Sequence, residues 1–181
     1  MISEQEASCL RILFSMLRSA ENNGVVHPFP PVFNTKSRIL ILGSFPSVKS
    51  REENFYYGHP SNRFWKVLSS VFNCPIPQSV EYKKKFLLDN GIALWDVILR
   101  CDITASSDSS IKNVVPNDIS YILDHSCIGR IYLNGKTAAK YYNKYIKDSV
   151  SIEAICLPST SPANASWSMD MLIDSWSVIN K

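Results

Sequence analysis

The sequence lacks the grouping of cysteine and histidine that holds a metal ion or an iron–sulfur cluster. Its three histidines are dispersed, no two cysteines have CxxC spacing, and the five cysteines stand at positions 9, 74, 101, 127 and 156. Zinc and iron–sulfur sites need clustered ligands, so we expect neither a metal nor another cofactor. An odd number of scattered cysteines beside apolar residues is typical of buried, reduced thiols and indicates a reducing compartment.

Nucleotide-binding loops and long hydrophobic runs are also missing. The sequence contains no GxxxxGK[ST] and no GxGxxG pattern, so the usual support for a nucleoside triphosphate or dinucleotide site is absent. Residues 1–14 (MISEQEASCLRILF) carry early acids and no long apolar core, which predicts neither a signal peptide nor a membrane span. We therefore expect a cytoplasmic protein without a membrane partner, associated with the nucleoid if the organism is a prokaryote.

The composition is that of one globular domain. The chain has 181 residues, of which 45% are hydrophobic and 19% charged, and we find no internal repeat and no linker. We therefore predict one domain over 1–181, with an N-terminal helix and proline-rich connector in 1–35 and an α/β core in 36–181. The net charge of +3 permits a polyanionic partner without implying one. We expect the protein to be a monomer.

Short apolar runs alternate with amphipathic segments along the chain. Strands are predicted at 38–42, within 91–98, at 130–134 and at 151–156; helices are predicted at 3–20, 62–73, 79–89, 116–124, 136–147 and 168–180. Ser61 is a candidate N-cap, and Asn90-Gly91 a C-cap signal. Residues 24–37 read as an extended connector and 101–113 as a surface loop. The alternation predicts a three-layer α/β/α fold around a four-stranded parallel sheet.

Two segments far apart in sequence carry the most informative residues. Residues 43–65 follow the first predicted strand, and residues 157–166 follow the fourth. Loops that leave the carboxyl ends of parallel strands form the ligand crevice of an open α/β sheet, so both segments should face one crevice. Their Gly, Pro, Ser, Asn and aromatic residues suit a flat polar ligand beside a phosphate chain.

Each of these features also has an ordinary structural interpretation. The turn after Gly43 can expose backbone N–H groups to an anion or a base edge, or it can simply connect a strand to a helix. The aromatic run 55–57 can stack on a base, or it can pack into the core. The hydroxyl run 159–161 can bind phosphate oxygens, or it can be a solvated loop.

Five motifs, in matching order, resemble the uracil-DNA glycosylase superfamily. They are GSFPS, YYGHPSNRFW, LWDVI, LNG and LPSTSPANA, and within the superfamily they closely resemble the DNA-deoxyinosine (hypoxanthine-DNA) glycosylase family. The block HPSNRFWKV is also similar to the mismatch-specific uracil/thymine glycosylases. The resemblance covers about 36–180. It implies a four-stranded parallel sheet with DNA across the strand ends, base flipping and cleavage of the N-glycosidic bond.

The resemblance implies a role for some residues and a departure at others. Many superfamily members position water with an Asp or Asn just before the proline of the first motif, where this chain has Phe45. Asn62 matches the asparagine on which the hypoxanthine type relies, and it is the candidate catalytic residue. The second motif starts with Ser159 in place of His or Asn, and Ser161 matches the family serine. No strong general acid is visible there.

The base pocket and the DNA contacts are carried over in the same way. Asp96 matches the position where uracil-specific relatives read the base edge with Asn. A carboxylate fits a purine with an N1–H donor, or relaxed selectivity, whereas a helix cap or ion pair is the ordinary alternative. The base-binding candidates are Gly43, Ser44, Phe45, Tyr57 and Asp96, with Tyr57 or Phe45 stacking on the base. The DNA-binding candidates are Ser47, Asn134, Lys136, Ser159, Thr160, Ser161 and Asn164.

The resemblance thus predicts a DNA N-glycosylase of base excision repair, a hydrolase of N-glycosyl bonds. It would flip and excise deaminated bases from DNA, hypoxanthine first, by a dissociative hydrolysis without a metal. No lysine stands at a recognised catalytic place, which favours a monofunctional enzyme. Two alternatives remain open. One is a uracil/thymine glycosylase acting at G:U and G:T mismatches; the other is a non-catalytic nucleic-acid binder, which Phe45 and Ser159 would favour.

Overall fold

A computed structural model describes residues 24–105 and 107–180. The predicted helix at 3–20 lies outside these residues. In chain order the elements are β1 (Val25–Val26), β2 (Ile39–Gly43), α1 (Val48–Glu52), α2 (Phe64–Val71), α3 (Val80–Asp89), β3 (Ile92–Asp96), β4 (Ile98–Asp102), β5 (Lys112–Pro116), α4 (Ser120–Asp124), β6 (Arg130–Asn134), α5 (Lys136–Tyr145), β7 (Ala154–Leu157) and α6 (Met169–Trp176), with 3-10 turns at Asp108–Ser110, Lys147–Ser149 and Ser177–Asn180.

Four strands form the central parallel sheet, in the spatial order β3-β2-β6-β7. Every residue of β2 and β3 is buried, a pattern typical of strands covered on both faces. The predicted α/β/α fold with a four-stranded parallel sheet is confirmed. Because the strands are parallel, their carboxyl ends meet at one edge, where Gly43 lies opposite Asp96 in the register of β2 and β3.

A second, antiparallel sheet of order β1-β4-β5 was not predicted. Val25 pairs with Cys101, and Ile98 pairs with Pro116. The prediction of a loop over 101–113 was therefore wrong at both ends. β4 follows β3 after the single residue Val97, so the apolar residues of both strands look like one strand in the sequence. Register shifts between β4 and β5 also interrupt the alternation of apolar and polar residues by which strands are recognised.

The predicted connector over 24–37 is part of the packed structure. Besides β1, its Val32 makes an isolated bridge with Leu94, and Phe29 is buried. His27 is buried as well, and its backbone N–H donates to Leu99 O at 2.8 Å. The three prolines suit a segment that runs extended along the sheet and makes few ladder bonds of its own.

Capping residues explain most helix boundaries. The Ser79 side chain accepts from Tyr82 N at the start of α3, and Gly91, with φ +68°, follows its end, so the predicted C-cap is confirmed. Ser61 does not cap α2, which begins two residues later than predicted, after Arg63. The unpredicted α1 has its own N-cap, Ser47.

The four cysteines that the structure describes are free thiols, but most of them are not buried. Of the described cysteines only Cys101 is buried, whereas Cys74, Cys127 and Cys156 are exposed, so the prediction of buried thiols was wrong for three of them. Among the described helices, none combines the length and apolarity that crossing a bilayer requires.

Candidate active site

A cleft of about 530 Å³ opens at the carboxyl edge of the parallel sheet. It brings together all but two of the predicted site residues: Gly43, Ser44, Ser47, Tyr57, Asn62, Asp96, Asn134, Lys136, Ser159, Thr160 and Ser161. The two exceptions are Phe45 and Asn164. Phe45 packs instead against the core, 6.1 Å from the His27 ring and beneath the Arg51 guanidinium. Asn164 borders the adjoining groove that leads to Trp167.

The floor of the cleft is a carboxylate beside a phenol. A Cβ placed on Gly43 would lie 2.1 Å from Asp96 Oδ1 and 2.8 Å from the Tyr57 hydroxyl. Any side chain at position 43 would therefore occupy the space in which these two oxygens meet. Glycine is required here by the close approach of the two side chains, since its φ is ordinary.

Tyr57 is held in a strained backbone conformation at this floor. Its φ is +53°, in the left-handed region that a tyrosine rarely adopts, and its ring stacks on Phe64 at 3.9 Å. The hydroxyl is enclosed and makes no hydrogen bond of good geometry to any residue that the structure describes. Burial, followed by the charge of Asp96, raises its pKa far above the usual value, although the nearby Asn134 side chain lowers it. The phenol therefore stays protonated.

Asp96 is held from behind by a histidine that the sequence analysis did not select. His27 Nε2 lies 2.9 Å from Asp96 Oδ2, and both side chains are almost fully enclosed. Asn117 Nδ2 donates to the Asp96 backbone carbonyl at 2.8 Å. A lone histidine in a proline-rich segment gives no local signal of such a contact, because its partner is 69 residues away.

Asn62 is oriented by two donors. Its side-chain Oδ1 accepts from Phe64 N at 3.0 Å and from Thr160 Oγ1 at 3.1 Å. A backbone N–H can only donate, so the oxygen and not the NH2 group of Asn62 must face Phe64. Both lone pairs of the oxygen are engaged. The NH2 group is the part of Asn62 left to act in the cleft.

A second asparagine extends this network across the sheet edge. At the end of β6, Asn134 Nδ2 donates to Thr160 Oγ1, and Asn134 Oδ1 accepts from Thr160 N, both at 3.0 Å. Thr160 is fully buried. The first motif, the LNG motif and the second motif are thus joined by one chain of hydrogen bonds, from Asn134 through Thr160 to Asn62.

Arg63 shapes the second loop and was also missed by the sequence analysis. Its guanidinium donates to the backbone carbonyls of Thr160, Ser161 (2.7 Å), Asn164 (2.9 Å) and Trp167. Five donors in a rigid fork let one arginine satisfy several carbonyls of a curved loop. Its position directly after Asn62 in HPSNRFW was the only available signal.

The serines of the second loop accept hydrogen bonds from their own loop. Ser159 Oγ accepts from Ser161 N, and Ser161 Oγ accepts from Ala163 N, both at 3.2 Å. Their hydroxyl protons remain able to donate outward. Asn164 Nδ2 donates to Ser159 O at 2.9 Å, so its side chain braces the loop. Gly135, with φ +94°, allows the approach: a Cβ there would lie 2.7 Å from Ser159 Cβ.

Charged groups of both signs line the rim. Lys49 lies 3.3 Å from Glu52 and 3.9 Å from Glu53, whereas Lys136 makes no ion pair with a described residue. His59 Nδ1 accepts from Ser61 N at 3.1 Å. Within residues 24–105 and 107–180, no three His, Cys, Asp or Glu side chains are grouped as metal ligands.

This geometry can be compared with known proteins. The family model of the uracil DNA glycosylase superfamily matches residues 30–179. The chain is 36% identical over 139 residues to a protein of Methanosarcina barkeri named hypoxanthine DNA glycosylase, covering 75% of this chain and 86% of that one. It is 35% identical over 143 residues to a protein of the same name from Methanosarcina acetivorans, covering 77% and 89%.

A solved structure gives the same result for the fold. The chain is similar to the solution NMR structure of a Methanosarcina acetivorans protein provisionally described as a uracil DNA glycosylase, with a TM-score of 0.74 and 31% sequence identity. The similarity covers 86% of this chain and 98% of that one.

Proposed function

This chain belongs to the uracil-DNA glycosylase superfamily, and from that premise we propose that it is a monofunctional DNA glycosylase for deaminated bases, with hypoxanthine preferred. The observation that carries the proposal is the meeting of Asn62 and Asp96 in one cleft at the carboxyl edge of the sheet. The two relatives named hypoxanthine DNA glycosylase support the choice of base. The protein would act in base excision repair, in the cytoplasm, as a monomer.

The substrate base must leave the duplex before it can enter this cleft. Flipping costs a few kcal/mol and is cheapest for a mismatched base, which favours deaminated bases over paired ones. Phe64 already covers one face of the Tyr57 ring, so the base would stack on the other face. Such a stack contributes about 1–3 kcal/mol. Phe45, whose ring packs beside His27, is the poorer candidate for this role.

The polar edge of the base would be read at the floor. Asp96 Oδ1 faces the space above Gly43 and can accept a hydrogen bond from N1–H of hypoxanthine. Gly43 leaves room for that oxygen, and the backbone after it, at Ser44, would lie beside the base. The departing base would carry a negative charge, and fixed backbone N–H dipoles near Ser44 would stabilise that charge.

Asn62 would place the attacking water. An amide is not a base, and its Oδ1 is already engaged, so its NH2 group would hold the water oxygen by donation. In a dissociative reaction the sugar becomes an oxocarbenium-like cation before water attacks, so position matters more than activation. Overall, water supplies a hydroxyl to the sugar carbon and a proton to the base.

The second loop would hold the DNA backbone. Ser159 and Ser161 can direct hydroxyl donors at phosphate oxygens, and Thr160 fixes the loop to Asn134 and Asn62. Ser47, the N-cap of α1, and Lys136, at the start of α5, lie on the same cleft. Asn164 would act by bracing the loop near the gap that the flipped base leaves.

A lesion panel tests the proposal. Duplexes of one sequence carrying hypoxanthine, uracil, xanthine or a G:T mismatch are incubated with excess protein, and abasic sites are cleaved with alkali. We expect the fastest single-turnover excision with hypoxanthine. Faster excision of uracil or thymine from mismatches would favour the mismatch-specific alternative. Binding without excision of any base would favour a non-catalytic role.

A further inference from the structure

We propose that His27 is a positioning residue that keeps Asp96 an ionised, acceptor-only carboxylate, so that the cleft rejects adenine and cytosine. This inference deepens the proposed function and rests on it. It adds the means by which a deaminated base is distinguished from the amino base that it replaced.

The His27–Asp96 pair is enclosed by apolar surroundings. Nε2 and Oδ2 are 2.9 Å apart, and the relative exposure is 0% for His27 and 4% for Asp96. Rings surround the imidazole: Phe29 at 4.6 Å, Tyr56 at 6.0 Å, Phe45 at 6.1 Å and Trp95 at 6.4 Å. The backbone N–H of His27 is fixed by Leu99 O. In such apolar surroundings a hydrogen bond to a charged group is strengthened, and the pair cannot rearrange freely.

The surroundings of His27 determine which ring nitrogen carries the imidazole proton. Within the described part of the chain, His27 Nδ1 is buried and has no hydrogen-bond partner. A proton on Nδ1, in a cation or in the other tautomer, would leave a buried N–H without an acceptor. A neutral imidazole with its proton on Nε2 leaves only a lone pair unused and makes the stronger N–H to carboxylate bond. The arrangement of lowest free energy is therefore neutral His27 donating to ionised Asp96.

A base that enters the cleft meets the second carboxylate oxygen of Asp96. His27 occupies Oδ2, and Oδ1 lies at the floor beside Gly43. An ionised Oδ1 can only accept. Hypoxanthine, uracil and xanthine present a ring N–H next to a carbonyl, whereas adenine and cytosine present a bare ring nitrogen. The lone pair of that nitrogen would face the carboxylate. Guanine also carries a ring N–H, so its rejection needs another group.

Two tyrosines and one arginine stand near the His27–Asp96 pair. Tyr56 faces His27, Tyr57 faces Asp96 from the cleft, and Arg51 lies beyond the Phe45 ring at 5.8 Å. Burial raises the pKa of both tyrosines, so they remain neutral, and arginine remains charged. The pair therefore faces two neutral phenols and, among the described residues, an arginine that stands behind the Phe45 ring.

Two substitutions separate positioning from packing. His27→Gln places an amide N–H near the position of Nε2 and cannot become charged, whereas His27→Leu removes the donor. We expect His27→Leu, which leaves Asp96 Oδ2 without its donor and no longer fixes the carboxyl group as an acceptor, to slow hypoxanthine excision about tenfold to a hundredfold. It should also raise the adenine-to-hypoxanthine ratio at least about tenfold, in duplexes that pair each base with cytosine. His27→Gln, which keeps a donor, should retain the wild-type ratio of adenine to hypoxanthine excision.

A merely structural role predicts a different result. It would lower the melting temperature and slow the excision of all bases alike, leaving the adenine-to-hypoxanthine ratio unchanged, and this outcome would overturn the proposal. If His27→Leu does not fold, 15N NMR of the imidazole in the wild-type protein decides. We expect a neutral ring protonated at Nε2, and a proton on Nδ1 at pH 7 would overturn the proposal. A wild-type protein that excises no base would instead refute the proposed function, and the NMR result would still be informative.

Discussion

The Thr160 hydroxyl donates to the side-chain oxygen of Asn62 at 3.1 Å, which joins two loops that lie 98 residues apart in the sequence. Thr160 in turn accepts from Asn134, so the bond belongs to a buried network and not to a solvated contact. The oxygen and the NH2 group of the Asn62 amide therefore have different functions. The oxygen of Asn62 joins the two loops, and its NH2 group is left to face the cleft.

Asn62→Ala should reduce single-turnover excision of hypoxanthine about tenfold to a hundredfold, since a lost positioning contact costs catalysis more than binding. Affinity for product DNA with an abasic site should change little. Asn62→Asp keeps an acceptor for Phe64 and Thr160 but replaces the NH2 donor with a charged acceptor, so it tests whether the water can be held by acceptance instead of donation. Wild-type rates in Asn62→Ala would reject Asn62 as the positioning residue.

Asp96→Asn should shift selectivity from hypoxanthine toward uracil. His27 can still donate to the asparagine oxygen, while the new NH2 group faces the base and donates to a carbonyl. One lost or misplaced buried hydrogen bond costs about 1–3 kcal/mol, or about 5- to 150-fold in the ratio of the two rates. The measurement is excision of both bases from otherwise identical duplexes. Equal slowing of the two would mean that Asp96 has a structural role alone.

Ser161→Ala and Lys136→Ala should weaken DNA binding in different ways. With a net charge of +3, we expect about 3–5 phosphate contacts and a log–log salt slope of about −3 to −5. Ser161 is a neutral donor, so its loss should lower affinity and excision at every lesion without changing the slope. Lys136→Ala should make the slope shallower by about 1. A wild-type slope steeper than about −8 would reveal a larger cationic surface, and unchanged affinity in Ser161→Ala would remove the loop from the DNA interface.

Arg63→Lys should disorder the second loop although the charge is kept. A lysine ammonium cannot reach the carbonyls of Ser161, Asn164 and Trp167 together, so half-buried acceptors lose their donor. We expect a loss of about 1–3 kcal/mol in the free energy of unfolding, measured by urea denaturation, and slower excision of all bases. Lys66→Arg, on the exposed residue of the same motif, is the control for an exchange of cations. Full stability in Arg63→Lys would show that the loop holds its shape without the guanidinium.

Tyr57→Phe should leave excision within about threefold of wild type and change the alkaline stability of the protein. The ring that stacks on Phe64 is kept, and no well-formed hydrogen bond to a described residue is lost. Folding raises the pKa of Tyr57, so its stabilising effect is complete below about pH 10 and is lost as the pH rises above the pKa of the unfolded chain. The substitution should therefore make the fall in unfolding free energy above pH 10 shallower by about 1.4 kcal/mol per pH unit. Tyr82→Phe is the matched control.

Tyr57→Ala completes this test of stacking. Without the ring, excision should fall about 5- to 150-fold, the equivalent of about 1–3 kcal/mol of base stacking. Equal rates in Tyr57→Ala and wild type would exclude Tyr57 as the stacking residue, and attention would return to Phe45.

The sequence alone predicted the elements whose signal is local. The strand at 130–134 coincides with β6, and the helix at 79–89 differs from α3 by one residue, because apolar periodicity and caps act within a few residues. The same locality limited the prediction elsewhere. Register shifts between β4 and β5 disrupt the regular alternation of a strand pair. Ser61 is a residue type that often caps helices, but α2 begins only after Arg63.

The sequence also determined which residues meet at the site, because parallel strands bring their carboxyl ends to one edge and the loops that follow them must share a crevice. Only the tertiary structure decided what holds those residues. His27 reaches Asp96 across 69 positions, and Arg63 reaches the second loop across about 100. These contacts form because distant segments pack together, and such packing leaves no periodic pattern in the sequence of either segment. The orientation of Asn62 and the exclusion of Phe45 from the cleft follow from those distant contacts, and so no local pattern could reveal them.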